Sequence, residues 1–265
     1  MPRPQPMSKM PLSSSIEDPV RKMNRMYRWT RHVYDWSRRY YLLGRDRMLR
    51  AIAEQPRGNV LEIGCGTARN LRMLDQHAPQ HTLYGLDASL SMLTTARAKM
   101  EREGCLDDIT LGHGLAQALD SREQFGVERD FDVIFFSYVL SMIPDWTAAL
   151  GSALAHLAPG GRIHIVDFWD QADLPEWTAM ILQRWLALFD VYPRPDLIRA
   201  LRRLDEVDGV TCTVAPVAYR YAYCSTIRVS GSVSASAFDG LGMEVPSVLS
   251  ASESKRFEGL HTIVD

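Results

Sequence analysis

Gly64 and Gly66 flank Cys65 directly behind an apolar run at 60–63, and Asp87 ends a second apolar run 21 residues beyond Gly66. Glycines have no Cβ, so they permit a tight turn and let a ligand approach backbone at the carboxyl end of a strand. A carboxylate at the end of the following strand can accept hydrogen bonds from both hydroxyls of a ribose. Bonds to a charged group are worth roughly 1.5–3 kcal/mol each, enough to orient a nucleoside. The competing reading makes Asp87 a solvated or helix-capping residue. A dinucleotide would use the same turn, but its fingerprint wants Gly or Ala at position 69, where Arg69 stands. Glu62 adds a carboxylate beside the turn, which suits a cationic amino-acid moiety better than a phosphate.

The elements that must hold these residues alternate. Strand patterns at 60–63, 82–86, 109–111, 131–136 and 162–167 are separated by helical patterns at 71–77, 90–103 and near 147–157, the last ended by Ala158, Pro159, Gly160 and Gly161. A long apolar helix follows at 176–189, and 210–229 reads as two strands forming an antiparallel pair at the sheet edge. Such alternation needs crossover helices, so the expected fold is α/β, a doubly wound, mainly parallel seven-stranded sheet with an N-terminal helical cap.

The expected organisation is a proline- and serine-rich tail at 1–19, a basic aromatic helical cap at 20–55, a ligand-binding domain at 56–229 and a loose extension at 230–265. Formal charge totals only -2, yet residues 20–50 hold ten Lys or Arg against Asp35 and Asp46, a net of +8 that leaves -10 elsewhere. Four cysteines without paired spacing, and no leader pattern, point to a reducing cytoplasm. The longest apolar stretch, 133–143, is far shorter than the roughly 20 residues of a spanning helix. His77 and His81 have helical spacing, but Pro79 between them breaks that geometry, and no metal site is expected.

Glu62-Ile63-Gly64-Cys65-Gly66-Thr67 with Asp87, His113-Gly114-Leu115-Ala116, the 131–138 run ending in Ser137-Tyr138, and Leu157-Ala158-Pro159-Gly160-Gly161 together resemble the class I methyltransferases across residues 58–170. The resemblance implies S-adenosyl-L-methionine as cofactor and S-adenosyl-L-homocysteine as product. It places Glu62, Gly64, Cys65 and Gly66 at the methionine end, Asp87 at the ribose, Ala88 and Met92 at the adenine flank and Gly114 and Leu115 at its edge. Ser137 and Tyr138 form the floor near the sulfonium. The family often has a third glycine where this chain has Ala68.

The stretch from Met23 to Arg47, dense in Arg, Tyr and Trp, looks like the opening of the bacterial betaine-lipid N-methyltransferases, which trimethylate diacylglycerylhomoserine; that resemblance covers about residues 20–225. It implies a lipid substrate met at the inner face of the cytoplasmic membrane by a peripheral enzyme, a supplier enzyme that makes diacylglycerylhomoserine, and no nucleic-acid partner. A basic helical stretch interleaved with aromatic rings suits anionic headgroups, and the 176–189 helix reads either as a second interfacial element or as a core helix. Tyr34, Tyr41 and Tyr138 are the candidate faces for a methylated ammonium, Arg45 the candidate carboxylate clamp, and Asp167 a candidate proton acceptor or a turn-capping carboxylate. The rival readings are an RNA or small-molecule methyltransferase of the same class, and a non-catalytic membrane-binding module that keeps the fold.

Overall fold

The computed structural model describes residues 42–127, 130–187 and 193–230. In chain order the elements are α1 (Arg45–Ala53), β1 (Asn59–Ile63), α2 (Arg69–His77), β2 (Thr82–Asp87), α3 (Leu90–Glu103), β3 (Ile109–His113), α4 (Ser121–Phe125), β4 (Phe131–Ser137), α5 (Trp146–Ala155), β5 (Leu157–Phe168), α6 (Glu176–Ala187), α7 (Pro195–Leu204), β6 (Val210–Val217) and β7 (Ala222–Val229).

The strands form one seven-stranded sheet in the order β3-β2-β1-β4-β5-β7-β6 among the described residues. β1 to β5 pair in parallel, and β7 runs antiparallel to both β5 and β6. The order reverses between β1 and β4, the switch point where open α/β sheets bind ligands outside the carboxyl ends of their strands. Both faces are covered, which is why β1 and β4 are apolar toward both sides, interrupted only by polar residues such as Glu62 and Asp132. Leu61, Ile63 and Phe136 pack on one side with Trp146, Leu150 and Leu201. Val60, Phe135 and Val166 pack on the other with Ile52, Leu71 and Leu93.

Local chemistry sets the helix ends. Ser89 caps α3 by accepting from Met92 N at 3.4 Å, and Asp145 caps α5 by accepting from Ala148 N at 3.1 Å. The doubly wound α/β expectation holds, with three refinements. β5 begins at Leu157, so the Pro159-Gly160-Gly161 stretch expected as a helix-ending loop lies within the strand, and the β4–β5 register shifts between Phe131 and Val133 to absorb it. The expected antiparallel pair does lie at the sheet edge, and the structure adds that β7, not β6, is the strand that pairs with β5. α7 was not anticipated; its Pro195 sits in the first turn, where a missing N–H costs nothing. No helix among the described residues is long and apolar enough to cross a membrane.

Candidate active site

The turn after β1 is built for a close backbone approach. Gly64 and Gly66 adopt φ +74° and +55°, and Gly64 N and Cys65 N both donate to Leu86 O, at 2.8 and 3.0 Å. A Cβ placed on Gly64 would lie 3.0 Å from Val139 Cβ and closer still to its Cγ2, so glycine is required there on both counts. Ala68 also holds a left-handed φ of 56° at the start of α2, where the resemblance expects glycine. The cost of that substitution is backbone strain of about 1–2 kcal/mol.

Asp87 faces this turn. Its Oδ2 accepts from Gly66 N at 2.7 Å and its Oδ1 from Ser89 N at 2.8 Å, so the carboxylate spans the mouth between β1 and β2. Glu62 is buried near the end of β1, with Oε1 accepting from Asn70 Nδ2 at 2.7 Å. Burial, then Asp87 and Glu62 in turn, push the Cys65 thiol well above its ordinary range. Two carboxylates beside one turn suit a cation better than a pyrophosphate. The donor set and the glycine backbone therefore fit a nucleoside carrying a cationic amino-acid end.

The neighbouring strand ends complete one rim. Gly114 N donates to Asp87 O at 3.2 Å, and the His113 ring lies 3.2 Å from Ala88 O, which gathers Ala88, Gly114 and Leu115 beside Asp87. Leu115 is exposed, whereas the Met92 side chain is buried at the start of α3. Ser137 is buried at the end of β4. Tyr138 follows with a left-handed φ of 56°. Its N–H donates to Val166 O at 2.7 Å, its ring packs 4.7 Å from Phe168, and its phenol donates to Leu43 O. Burial raises the phenol pKa well above the usual value. Tyr138 thus anchors the rim, with its ring engaged in packing.

Arg45 is buried in the first turn of α1 and bonds Asp46 Oδ1 through Nε and Nη2, each at 3.2 Å. Its charge reaches Tyr138, which places it behind the β4 tip. Tyr34 and Tyr41 lie outside the described residues, as does the remainder of the expected basic cap before residue 42.

Asp167 ends β5 fully buried, and both oxygens are engaged: Oδ2 accepts from Ser141 N at 2.9 Å and Oδ1 from Phe168 N at 2.8 Å. The structure makes it a brace for the 138–142 turn, which carries Val139 against Gly64. Sequence reasoning missed Ser141, whose part is played by backbone, and Tyr223, which stands opposite Asp167 in the β5–β7 register. Only the pairing of distant strands reveals the second.

Burial pushes the Asp167 carboxyl up to about 6 from 3.8, against the opposing effect of the bonds from Ser141, Phe168 and Leu140. Because the folded pKa exceeds the unfolded one, this contribution to stability is complete below about pH 4 and is lost as pH rises through about 6. Urea denaturation from pH 4 to 7 should therefore show the wild type losing up to about 3 kcal/mol relative to Asp167→Asn. A difference that does not change with pH would contradict the buried, charge-penalised state.

Comparison with known proteins agrees with this geometry. The family described as "Methyltransferase domain" matches residues 61–163. The trans-aconitate 2-methyltransferase of Deinococcus radiodurans is 33% identical over 114 residues, covering 43% of this chain and 39% of that protein. The demethylmenaquinone methyltransferase of Lactococcus lactis is 26% identical over 155 residues, covering 58% and 56%. This chain therefore spans about half, or less, of the length of these relatives. Among solved structures, a SAM dependent methyltransferase from Aquifex aeolicus superposes with TM-score 0.51 at 16% identity, over 72% of this chain and 93% of that one. The plantazolicin methyltransferase BpumL, in complex with monoazolic desmethylPZN analog and SAH, gives TM-score 0.58 at 13% identity, over 80% of this chain and 96% of that one. The glycine turn of β1, the acid of β2 and the reversed strand order all fall inside or beside the segment that matches the methyltransferase-domain family, and the sheet has the Rossmann-like fold of the class I methyltransferases.

Proposed function

We propose that this chain transfers methyl groups from S-adenosylmethionine to an amine, and that the acceptor is the amine of diacylglycerylhomoserine. The observation that supports cofactor binding is the Asp87 carboxylate turned onto the Gly64–Gly66 bend, at 2.7 Å from Gly66 N. The lipid acceptor rests on the basic, aromatic sequence of residues 20–50 and its resemblance to betaine-lipid N-methyltransferases.

When bound, the cofactor supplies an electrophilic methyl on a sulfonium. The protein's share is placement: Asp87 orients the ribose, Glu62 and Asp87 together favour the cationic end, and the Gly64 backbone leaves room beside the β4 tip. In-line displacement needs little acid or base help, and holding two reactants in register is worth effective molarities of order 10⁵–10⁸ M in the best cases. The amine proton goes to water, since the Asp167 carboxyl is buried away from solvent, 1% exposed. Asp167 positions the turn instead.

A second reading, a small-molecule acceptor, is favoured by the relatives named for trans-aconitate and demethylmenaquinone. The test is to incubate the protein with methyl-labelled S-adenosylmethionine and, separately, diacylglycerylhomoserine, total RNA and a water-soluble metabolite extract. Label in the lipid with a mass gain of up to three methyl groups is expected. Label confined to RNA or to soluble metabolites would overturn the lipid assignment while leaving methyl transfer intact.

A further inference from the structure

Like charges face each other on one side of the sheet. Arg162 on β5 and Arg228 on β7 are directly opposed in the antiparallel register, and Thr211 on β6 continues the row beyond Arg228. Two residues along, His164, Thr226 and Thr213 form a second row across the same strands. Side chains two apart on a strand share a face, so both rows stand on the side that holds Val166 and Phe168. Opposed residues in such a pair have Cβ atoms about 4.5–5.5 Å apart, and like charges there are destabilising. The patch is well clear of the cofactor crevice. Arg162 precedes Asp167 by five residues, roughly 16 Å along the strand, and so lies below the segments after β5 and β6 where Trp177, Met180, Ile181 and Tyr219 are exposed.

Among the described residues no carboxylate answers these charges. Arg162 bonds through Nη1 to the Gln55 side-chain oxygen, and Gln55 is itself fixed at the end of α1 by its Nε2 donating to Ala51 O at 2.8 Å. The other N–H groups of Arg162 are left for another acceptor, and the exposed Arg228 has no hydrogen bond or ion pair there. Burial, then Arg228, lowers the Arg162 pKa; burial, then Arg162 and Arg228, hold His164 down to about 4, and no acid acts on either group. His164 is 5% exposed, with Nδ1 3.1 Å from Thr226 Oγ1 and Nε2 without a partner. With the threonine hydroxyl donating to Nδ1, the neutral ring carries its proton on Nε2. That leaves a buried donor in want of an acceptor.

The occupant follows from what the patch lacks. Two guanidinium groups, the Nε2–H of His164 and the exposed hydroxyls of Thr211 and Thr213 make a surface of donors that carries two positive charges. A carboxylate would neutralise one of them, whereas a phosphate monoester brings about -1.5 to -2 charge at neutral pH and three acceptor oxygens. Guanidinium forks also match phosphoryl oxygens in shape. We propose that Arg162, Arg228 and His164 form a second site, which binds a terminal phosphoryl group on the sheet face between β5 and β7. Bound there, the group screens the opposed arginines, gives the buried imidazole its acceptor and fastens the end of α1 to the sheet through Arg162 and Gln55. The site is separate from the cofactor crevice and does not rest on the methyl-transfer reading.

Titration of the full chain with inorganic phosphate should show saturable binding, and acetate at matched ionic strength should not. Arg228 is exposed, so Arg228→Gln leaves the core intact. Its thermal midpoint without phosphate should be no lower than that of the wild type, because the opposed charge is gone, while its phosphate affinity falls by about ten-fold or more. In nuclear magnetic resonance titrations the wild-type His164 ring, whose charged neighbours are Arg162 on its own strand and Arg228 on β7, should protonate at higher pH once phosphate is added, since the anion offsets both arginines. Vesicles containing phosphatidic acid distinguish the source: sedimentation with them that Arg228→Gln abolishes assigns the phosphoryl group to a lipid, and phosphate binding without it assigns a soluble one. No phosphate binding, equal binding of acetate, or undiminished phosphate affinity in Arg228→Gln would overturn the site. Affinity for S-adenosylhomocysteine should be the same in wild type and variant, so failure here leaves the cofactor crevice standing.

Discussion

Asp87→Ala should weaken S-adenosylhomocysteine binding by about 100-fold or more, because two charge-assisted bonds to ribose hydroxyls at roughly 1.5–3 kcal/mol each disappear together. The same oxygens hold Gly66 N and Ser89 N at 2.7 and 2.8 Å, so the bend loses its brace as well as its sugar contact. Asp87→Asn separates the two effects: it keeps the volume and one acceptor oxygen, discards the charge, and should lose less. Calorimetry on all three proteins decides it. If Asp87→Ala bound the nucleoside within three-fold of wild type, the crevice between β1 and β2 would not be the cofactor site.

Gly64→Ala is expected to be the most damaging single methyl that can be added near the site. At φ +74° the left-handed strain costs about 1–2 kcal/mol, and driving a Cβ into Val139 adds about 1–3 kcal/mol of overpacking. Val139 sits on the turn that Asp167 braces, so the displaced side chain also shifts the β4 tip and should reduce cofactor affinity. Combining Gly64→Ala with Val139→Ala relieves the contact but not the φ, and should recover only part of the stability. Chemical denaturation of the single and double variants measures this; complete recovery in the double variant would mean that the backbone conformation at Gly64 costs nothing.

The parts of this fold that were legible in the sequence are those in which the local pattern and the tertiary role coincide. Val60 to Ile63 had to be a strand because nothing else buries four successive apolar or paired residues before a glycine turn, and Asp87 declared itself by ending the next such run. The α7 helix carried a clear apolar spacing in Leu197, Ile198, Leu201 and Leu204, but Pro195 reads as a breaker unless its place in the first turn is known. Pairing order was not legible: nothing in the residues of β7 announces that it slips between β5 and β6, because that choice depends on contacts distant in sequence. The left-handed Tyr138 was equally hidden, since a bulky aromatic is an unusual occupant of positive φ and only its bonds to Val166 and Leu43 hold it there. Asp167 was visible as a rim acid, but not as a buried one, because its two backbone donors come from different segments of the chain.

The exposure of Trp177, Met180 and Ile181 after β5 and of Tyr219 after β6 has an evolutionary reading. Loops that only decorate a rim can exchange side chains without disturbing the strands beneath, whereas Gly64 and Gly66 are held to glycine by their left-handed backbone. The segments after β5 and β6 can therefore differ in side chains while the Gly64–Gly66 bend keeps its geometry, so one sheet can present different rims to different molecules.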